Sequence, residues 1–255
     1  MADLVVAGAR LEVARCGEPV GGRPTLVFLH EGLGSLSLWR DFPQSVADAT
    51  GCPALAYSRQ GYGRSDPVQL PRPLSFMHDE ARVALPALLA AAGIEDAILI
   101  GHSDGASIAI IYAGESEARL RGLVLEAPHV FVEPVCVESI AKVRDSYRTS
   151  GLRERLARHH GANVDGAFYG WADSWLDPAF LEWNLEAFLP GIQVPILVIQ
   201  GEDDEYGTLA QVERVCAQVS GPAERLVLPR CGHAPHRDQQ DATLAAIAGF
   251  VRRLC

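Results

Sequence analysis

The sequence predicts an α/β fold: a mainly parallel sheet with helices on both faces, interrupted late in the chain by a helical insertion. Three observations carry that expectation. Short apolar blocks alternate with longer segments of helical periodicity. Most of the blocks are continuous rather than alternating, as strands buried on both faces require. From His129 to Gly191 no strand pattern occurs, and the blocks resume only at Ile196.

Taken in order, Leu4-Val5-Val6 and Leu11-Glu12-Val13, parted around Gly8, read as an antiparallel edge hairpin. The strand blocks follow as Leu26–Leu29, Ala54–Tyr57, Ile98–Ile100, Leu123–Leu125, Ile196–Ile199 and Leu226–Leu228. Phe76–Ala92, Gly105–Glu115, Leu209–Val219 and Asp241–Leu254 space their apolar residues as helices do. Strand–helix alternation of this kind builds a parallel sheet. The stretch 129–191 is too long for a plain connection. Within it, Asp177-Pro178 offers an N-cap followed by a first-turn proline. The expected division is a body of residues 1–128 and 192–255, with an insertion of residues 129–191.

Composition narrows the function classes. The chain has 255 residues, 48% hydrophobic and 21% charged, with a formal net charge of −10. That supports a sizeable core and excludes general disorder. The negative balance opposes nucleic-acid binding. The apolar run Ala84–Ile94 contains Pro86 and Gly93 and falls short of the ~20 residues a membrane span needs. No basic region precedes an apolar stretch at the start, so a cytoplasmic location is expected. The six cysteines form no Cys-x-x-Cys pair and read as reduced thiols rather than a metal site.

Gly101-His102-Ser103-Asp104-Gly105 is a Gly-x-Ser-x-Gly string between a strand block and a helical segment. That context is what a nucleophile elbow requires. The serine must sit on a strained turn above the sheet, and flanking side chains would clash with strand and helix. The helix start then offers free N–H groups to a developing oxyanion. A serine hydroxyl needs a base, and the base needs an orienting group. The block Ile196–Ile199 leads into Gln200-Gly201-Glu202-Asp203-Asp204, and Leu226–Leu228 leads towards Gly232-His233-Ala234-Pro235-His236. Both lie at strand C-terminal ends, where groups in open α/β sheets converge.

These segments together resemble the α/β-hydrolase superfamily, from about Thr25 to the final helix. His30-Glu31-Gly32-Leu33-Gly34-Ser35 resembles its His-Gly loop, and Gly61-Tyr62-Gly63-Arg64-Ser65 its Gly-x-Gly-x-Ser segment. The resemblance implies Ser103 as nucleophile, His233 as general base and Asp204 as the orienting acid, with Asp203 the near competitor. It also implies an oxyanion hole made by the backbone N–H groups of Gly32 and Asp104. Glu202 and Glu205 read as a solvated acidic turn.

Two positions depart from the family pattern. Glu31 replaces the usual glycine, and a carboxylate facing an oxyanion would oppose catalysis. Glu31 is therefore expected to turn away and find a hydrogen-bond or cationic partner, a substrate contact being the alternative. Ser58 stands where the family often has an aspartate of structural role. For His236 a structural hydrogen bond is expected. His159-His160, behind Arg153, Arg155 and Arg158, read as a solvated helix face.

In this superfamily an insertion at 129–191 forms a cap over the nucleophile. Seven aromatic residues fall between Phe168 and Phe188, so packing explains most of them. Trp171, Trp175 and Trp183 are the candidates to touch substrate. The expected activity is a cofactor-free, metal-free serine hydrolase acting on a small ester, thioester or lactone with an apolar or aromatic acyl group. A carbon–carbon bond hydrolase with the same three residues is the alternative. Lyases and ligand receptors on the same fold are further ones.

Overall fold

The computed structural model describes residues 2–115 and 120–255. Strands β1 (Ala2–Val6) and β2 (Ala9–Cys16) form the edge hairpin. They are followed by β3 (Thr25–Leu29), α1 (Phe42–Thr50) and β4 (Ala54–Tyr57). Next, α2 (Phe76–Asp79) continues through a π turn (Glu80–Ala84) into α3 (Leu85–Ala92). Strand β5 (Ala97–His102), α4 (Asp104–Glu115) and β6 (Leu120–Glu126) complete the first part of the body.

Between β6 and β7 lie α5 (Pro134–Ser146), α6 (Leu152–His160) and α7 (Val164–Trp175). Three 3-10 turns accompany them, at Gly161–Asn163, Pro178–Glu182 and Glu186–Gly191. The Asp177 side chain accepts from the Ala179 N–H, as the sequence suggests, but it caps a short 3-10 turn instead of an α-helix. The body resumes with β7 (Ile196–Gly201), α8 (Leu209–Gln218), β8 (Ala223–Leu228), α9 (Pro235–Asp238) and α10 (Gln240–Arg252).

The sheet order is β1-β2-β4-β3-β5-β6-β7-β8. Strands from β4 to β8 pair in parallel, and the hairpin joins through an antiparallel β2–β4 pair. Side-chain alternation explains why the strand blocks are continuously apolar. Leu26, Phe28, Ile98 and Ile100 pack on one face, under Phe42 of α1 and Phe250 of α10. Val27, Leu29, Leu99 and Val198 pack on the other, under Leu88 of α3, Ile111 of α4 and Val215 of α8.

Helix α1 is absent from the periodicity reading because it spans only nine residues. Its local signals are a proline in the first turn and a left-handed C-cap at Gly51. Among the described residues no helix is long and apolar enough to cross a membrane.

Register places the chemistry. Leu29 pairs with Gly101, His102 with Glu126, and Gly201 with Leu228. The loops beginning at His30, Ser103, Ala127, Glu202 and Pro229 therefore all leave the same edge of the sheet.

Candidate active site

Ser103 sits at φ +53° at the junction of β5 and α4. A left-handed backbone at a non-glycine residue stores about 1–3 kcal/mol, which the surroundings must over-determine. The flanking glycines show how. A Cβ on Gly101 would lie 2.4 Å from the Gly105 carbonyl oxygen, and one on Gly105 would lie 2.1 Å from that of Leu29. Main-chain bonds from Ser103 N–H to Glu126 and from Ala106 and Ser107 N–H to Ser103 close the turn.

The three side chains expected to work together form one hydrogen-bonded line. Ser103 Oγ is 2.9 Å from His233 Nε2, and His233 Nδ1 is 2.8 Å from both oxygens of Asp204. Asp204 is fixed in turn by Gln200 Nε2 at 2.6 Å and by the Tyr206 N–H at 2.8 Å. Burial pushes its carboxyl up, but the His233 hydrogen bond and charge and the Tyr206 amide outweigh that and hold it below the usual carboxylate range. Asp203, the competitor, is exposed. Glu202 and Glu205 are also exposed, and Glu205 accepts a long bond from the His233 N–H at 3.3 Å at the cavity rim.

Gly32 and Asp104 both line the cavity above Ser103, and neither backbone N–H has a hydrogen-bond partner among the described residues. Arg59, fully buried, explains the orientation of the Gly32 peptide. Its guanidinium donates to the carbonyls of His30 and Glu31, and its N–H donates to His30 Nε2. In a trans peptide C=O and N–H point oppositely, so holding the Glu31 carbonyl against Arg59 turns the Gly32 N–H away from it. Nothing in the local motif singles out Arg59, because its partners are 28 and 29 residues away.

Glu31 turns its carboxylate towards His102. Its Oε2 lies 3.4 Å from Nδ1 of the buried His102, while about a quarter of its side chain (26%) stays exposed at the cavity wall. Burial raises the Glu31 carboxyl, but the adjacent His102 and the neighbouring His30 and His236 leave it well below the carboxylate range. Ser58 takes a structural part: its Oγ donates to Glu12 Oε2 at 2.9 Å and accepts from the Leu36 N–H. The carboxylate at this place thus comes from β2 rather than from residue 58. His236 has its structural bond, Nδ1 to the fully buried Glu126 at 2.9 Å.

The cavity encloses about 210 Å³. Its apolar wall comes from Trp171 and Trp175 of α7 and from Cys136 and Ile140 of α5, the last two unmarked by any sequence signal. Trp175 also reaches the elbow, donating from Nε1 to Asp104 Oδ1 at 3.2 Å. A Cβ on Gly32 would lie 2.3 Å from the Trp171 ring, so only glycine fits beneath that indole. The remaining wall is polar and includes His129, whose imidazole is lowered to about 3 by burial and by the charge of His233.

Two expectations are corrected. Trp183 does not reach the cavity; it stacks on Phe180 at 5.3 Å and meets the edge of Trp175 at 5.5 Å, behind the wall. His160 is not solvated. It is 1% exposed, accepts from the Gly63 N–H at Nδ1 and donates from Nε2 to the Leu33 carbonyl, tying α6 to two body loops. The missed signal is its i,i+4 spacing from Leu156, which is also buried.

A mainly parallel sheet carries a hydroxyl, an imidazole and a carboxylate in line, beside two free amides, a geometry of the nucleophile–base–acid type. Residues 26–246 match the alpha/beta hydrolase family model, and the chain belongs to that family. It is 28% identical over 93% of its length to a 2-succinyl-6-hydroxy-2,4-cyclohexadiene-1-carboxylate synthase of Enterobacter sp. (strain 638), covering 95% of that protein. It is 23% identical over 87% of its length to a 2-hydroxy-6-oxo-6-phenylhexa-2,4-dienoate hydrolase of Burkholderia cepacia, covering 85% of it. The enol-lactonase of Burkholderia xenovorans shares the fold, with a TM-score of 0.74 and 22% identity over 98% of this chain and 99% of that one.

Proposed function

We propose that the protein is a serine hydrolase that cleaves a small carboxylic ester, thioester or lactone through an acyl-enzyme on Ser103. The observation that carries this reading is the continuous line Ser103 Oγ–His233–Asp204 ending beneath a small, partly apolar cavity. At about 210 Å³ that cavity is smaller than the ~300–1,000 Å³ of pockets for drug-sized ligands, which suits a short acyl group. Residues 129–191 act as the cap, with Trp171 and Trp175 against the acyl chain.

In the first half-reaction His233 Nε2 takes the Ser103 proton as Oγ attacks the carbonyl carbon. The Gly32 and Asp104 amides receive the oxyanion, and Asp204 stabilises the imidazolium without taking its proton. The imidazolium then protonates the departing alcohol, thiol or lactone oxygen. Water, deprotonated by the same ring, attacks the acyl-enzyme, and the proton returns to Ser103 Oγ as the acid leaves. The Arg59 clamp spares the Gly32 amide any reorganisation in these steps.

Carbon–carbon bond hydrolysis by the same residues is the second reading, supported by the relative that acts on 2-hydroxy-6-oxo-6-phenylhexa-2,4-dienoate. A panel of p-nitrophenyl esters, lactones and vinylogous diketones, run on the protein and on Ser103→Ala, separates the two. Short-chain esters or lactones should turn over and the mutant should be inactive. Exclusive turnover of diketones would transfer the function to the second reading, and undiminished turnover by the mutant would sink both.

A further inference from the structure

The Glu31 carboxylate and His102 lie outside the Ser103–His233–Asp204 line, yet they join the three loops that hold it. His102 immediately precedes the nucleophile and is 2% exposed. Its Nε2 is 2.6 Å from the backbone carbonyl of His233, and its Nδ1 is 3.4 Å from Glu31 Oε2. The Nε2 contact is a hydrogen bond, whereas Nδ1 makes none among the described residues and has the Glu31 carboxylate as its polar neighbour. A neutral imidazole carries one N–H, so only the imidazolium offers a proton to each side. The main chain of Glu31 is held separately by Arg59, which leaves the side chain as the link to the elbow.

We propose that Glu31 and His102 are a positioning ion pair, holding the Gly32 amide and the His233 loop in register with Ser103, and that deprotonation of His102 releases them. This rests on the hydrolase reading above, because the register matters only if these groups act together. The surroundings of His102 support the charged form. Glu31 comes from the loop after β3 and Glu126 from the end of β6, both carboxylates. Against them stand His233 and His236 from the loop after β8, with ring centroids at 5.2 and 5.0 Å. His30 and Arg59 flank the Glu31 main chain, and Arg237 stands at the cavity wall. Burial lowers the His102 imidazole, but the adjacent Glu31 carboxylate and the Glu126 charge outweigh it and raise it above its ordinary value.

The consequence is an alkaline limit of a particular kind. Once His102 is neutral with its proton on Nε2, the Nδ1 lone pair opposes the Glu31 carboxylate, and the Gly32 loop loses its link to the elbow. Glu31→Gln removes that conflict, since an amide accepts from the imidazolium and donates to the neutral ring. Glu31→Ala removes the link at every pH.

The test is the second-order rate of fluorophosphonate labelling at Ser103 across pH, which needs base and oxyanion hole but no knowledge of the substrate. In the parent protein it should fall on the alkaline side. Glu31→Gln should lose the alkaline fall, so that its rate relative to the parent rises with pH. Glu31→Ala should label on the order of tenfold to a hundredfold more slowly at every pH, the cost of a misplaced catalytic group. An alkaline limb unchanged in Glu31→Gln, or equal and pH-independent losses in both variants, overturns the pair and leaves the hydrolase reading standing. No labelling of Ser103 in the parent overturns both.

Discussion

Asp204 presents both carboxylate oxygens to His233 Nδ1 at 2.8 Å, while its sequence neighbour Asp203 is exposed to solvent. Of these two adjacent residues, one hydrogen-bonds the imidazole and the other makes no hydrogen bond to it among the described residues. Asp204→Asn should therefore lower kcat about a thousandfold or more, as losing the correct tautomer does in serine hydrolases. Asp203→Asn should stay within about twofold, as exposed substitutions do. Steady-state kinetics on one ester decide it, and the reverse order would move the role to Asp203.

Asp104 makes a stability prediction of definite sign. Burial raises its carboxyl above the ordinary value, against the charge of Arg59 and the Trp175 hydrogen bond. The folded state then holds the proton more tightly than the unfolded chain. Stability from this group is complete below the unfolded carboxylate value of about 3.9 and is lost as pH rises through the folded value. Asp104→Asn keeps the backbone N–H and an acceptor for Trp175, so it should melt a few degrees above the parent near pH 8. Calorimetry should find that gap closing towards pH 4; a gap independent of pH would contradict the assignment.

His160 should prove structural. His160→Ala leaves the Gly63 N–H and the Leu33 carbonyl without their partner, a loss of about 2–4 kcal/mol for two buried groups. Burial lowers the imidazole, so the unfolded chain binds its proton first and the parent loses stability as pH falls below about 6.5. Urea melts of parent and mutant at several pH values test this: the difference between them should shrink on the acid side. A constant difference would place the His160 contribution in packing alone.

The two tryptophans of opposite fate offer a contrast in specificity. Trp171→Ala opens the wall over Gly32 and should raise KM for short acyl esters several-fold while admitting longer chains. Trp183→Phe, behind that wall, should leave chain-length preference unchanged. Chain-length profiles read both, and equal shifts in the two variants would mean that Trp183 shapes the pocket after all.

What was legible in the sequence is what is local in it. Ser103 carries its own glycines, His233 follows a glycine past the last strand, and the continuous apolar block Leu26–Leu29 announces a strand buried on two sides. Arg59 and His160 act across 28 or more residues, through backbone groups that any sequence supplies, and Glu12 meets the Ser58 hydroxyl 46 residues away. Their roles therefore leave no string to read. Aromatic density between Phe168 and Phe188 was visible, but which rings face the cavity depends on how α7 lies across the elbow. Trp175 settles that by its bond to Asp104, and the 3-10 turn at Pro178–Glu182 sends Trp183 to the far side.

Covalent trapping tests whether Ser103 is the nucleophile. After treatment with a fluorophosphonate, intact mass should show a single adduct, and peptide mapping should place it on Ser103. Ser103→Ala should remain unlabelled at the same protein concentration. An adduct on any other residue, or equal labelling of the mutant, would contradict the account.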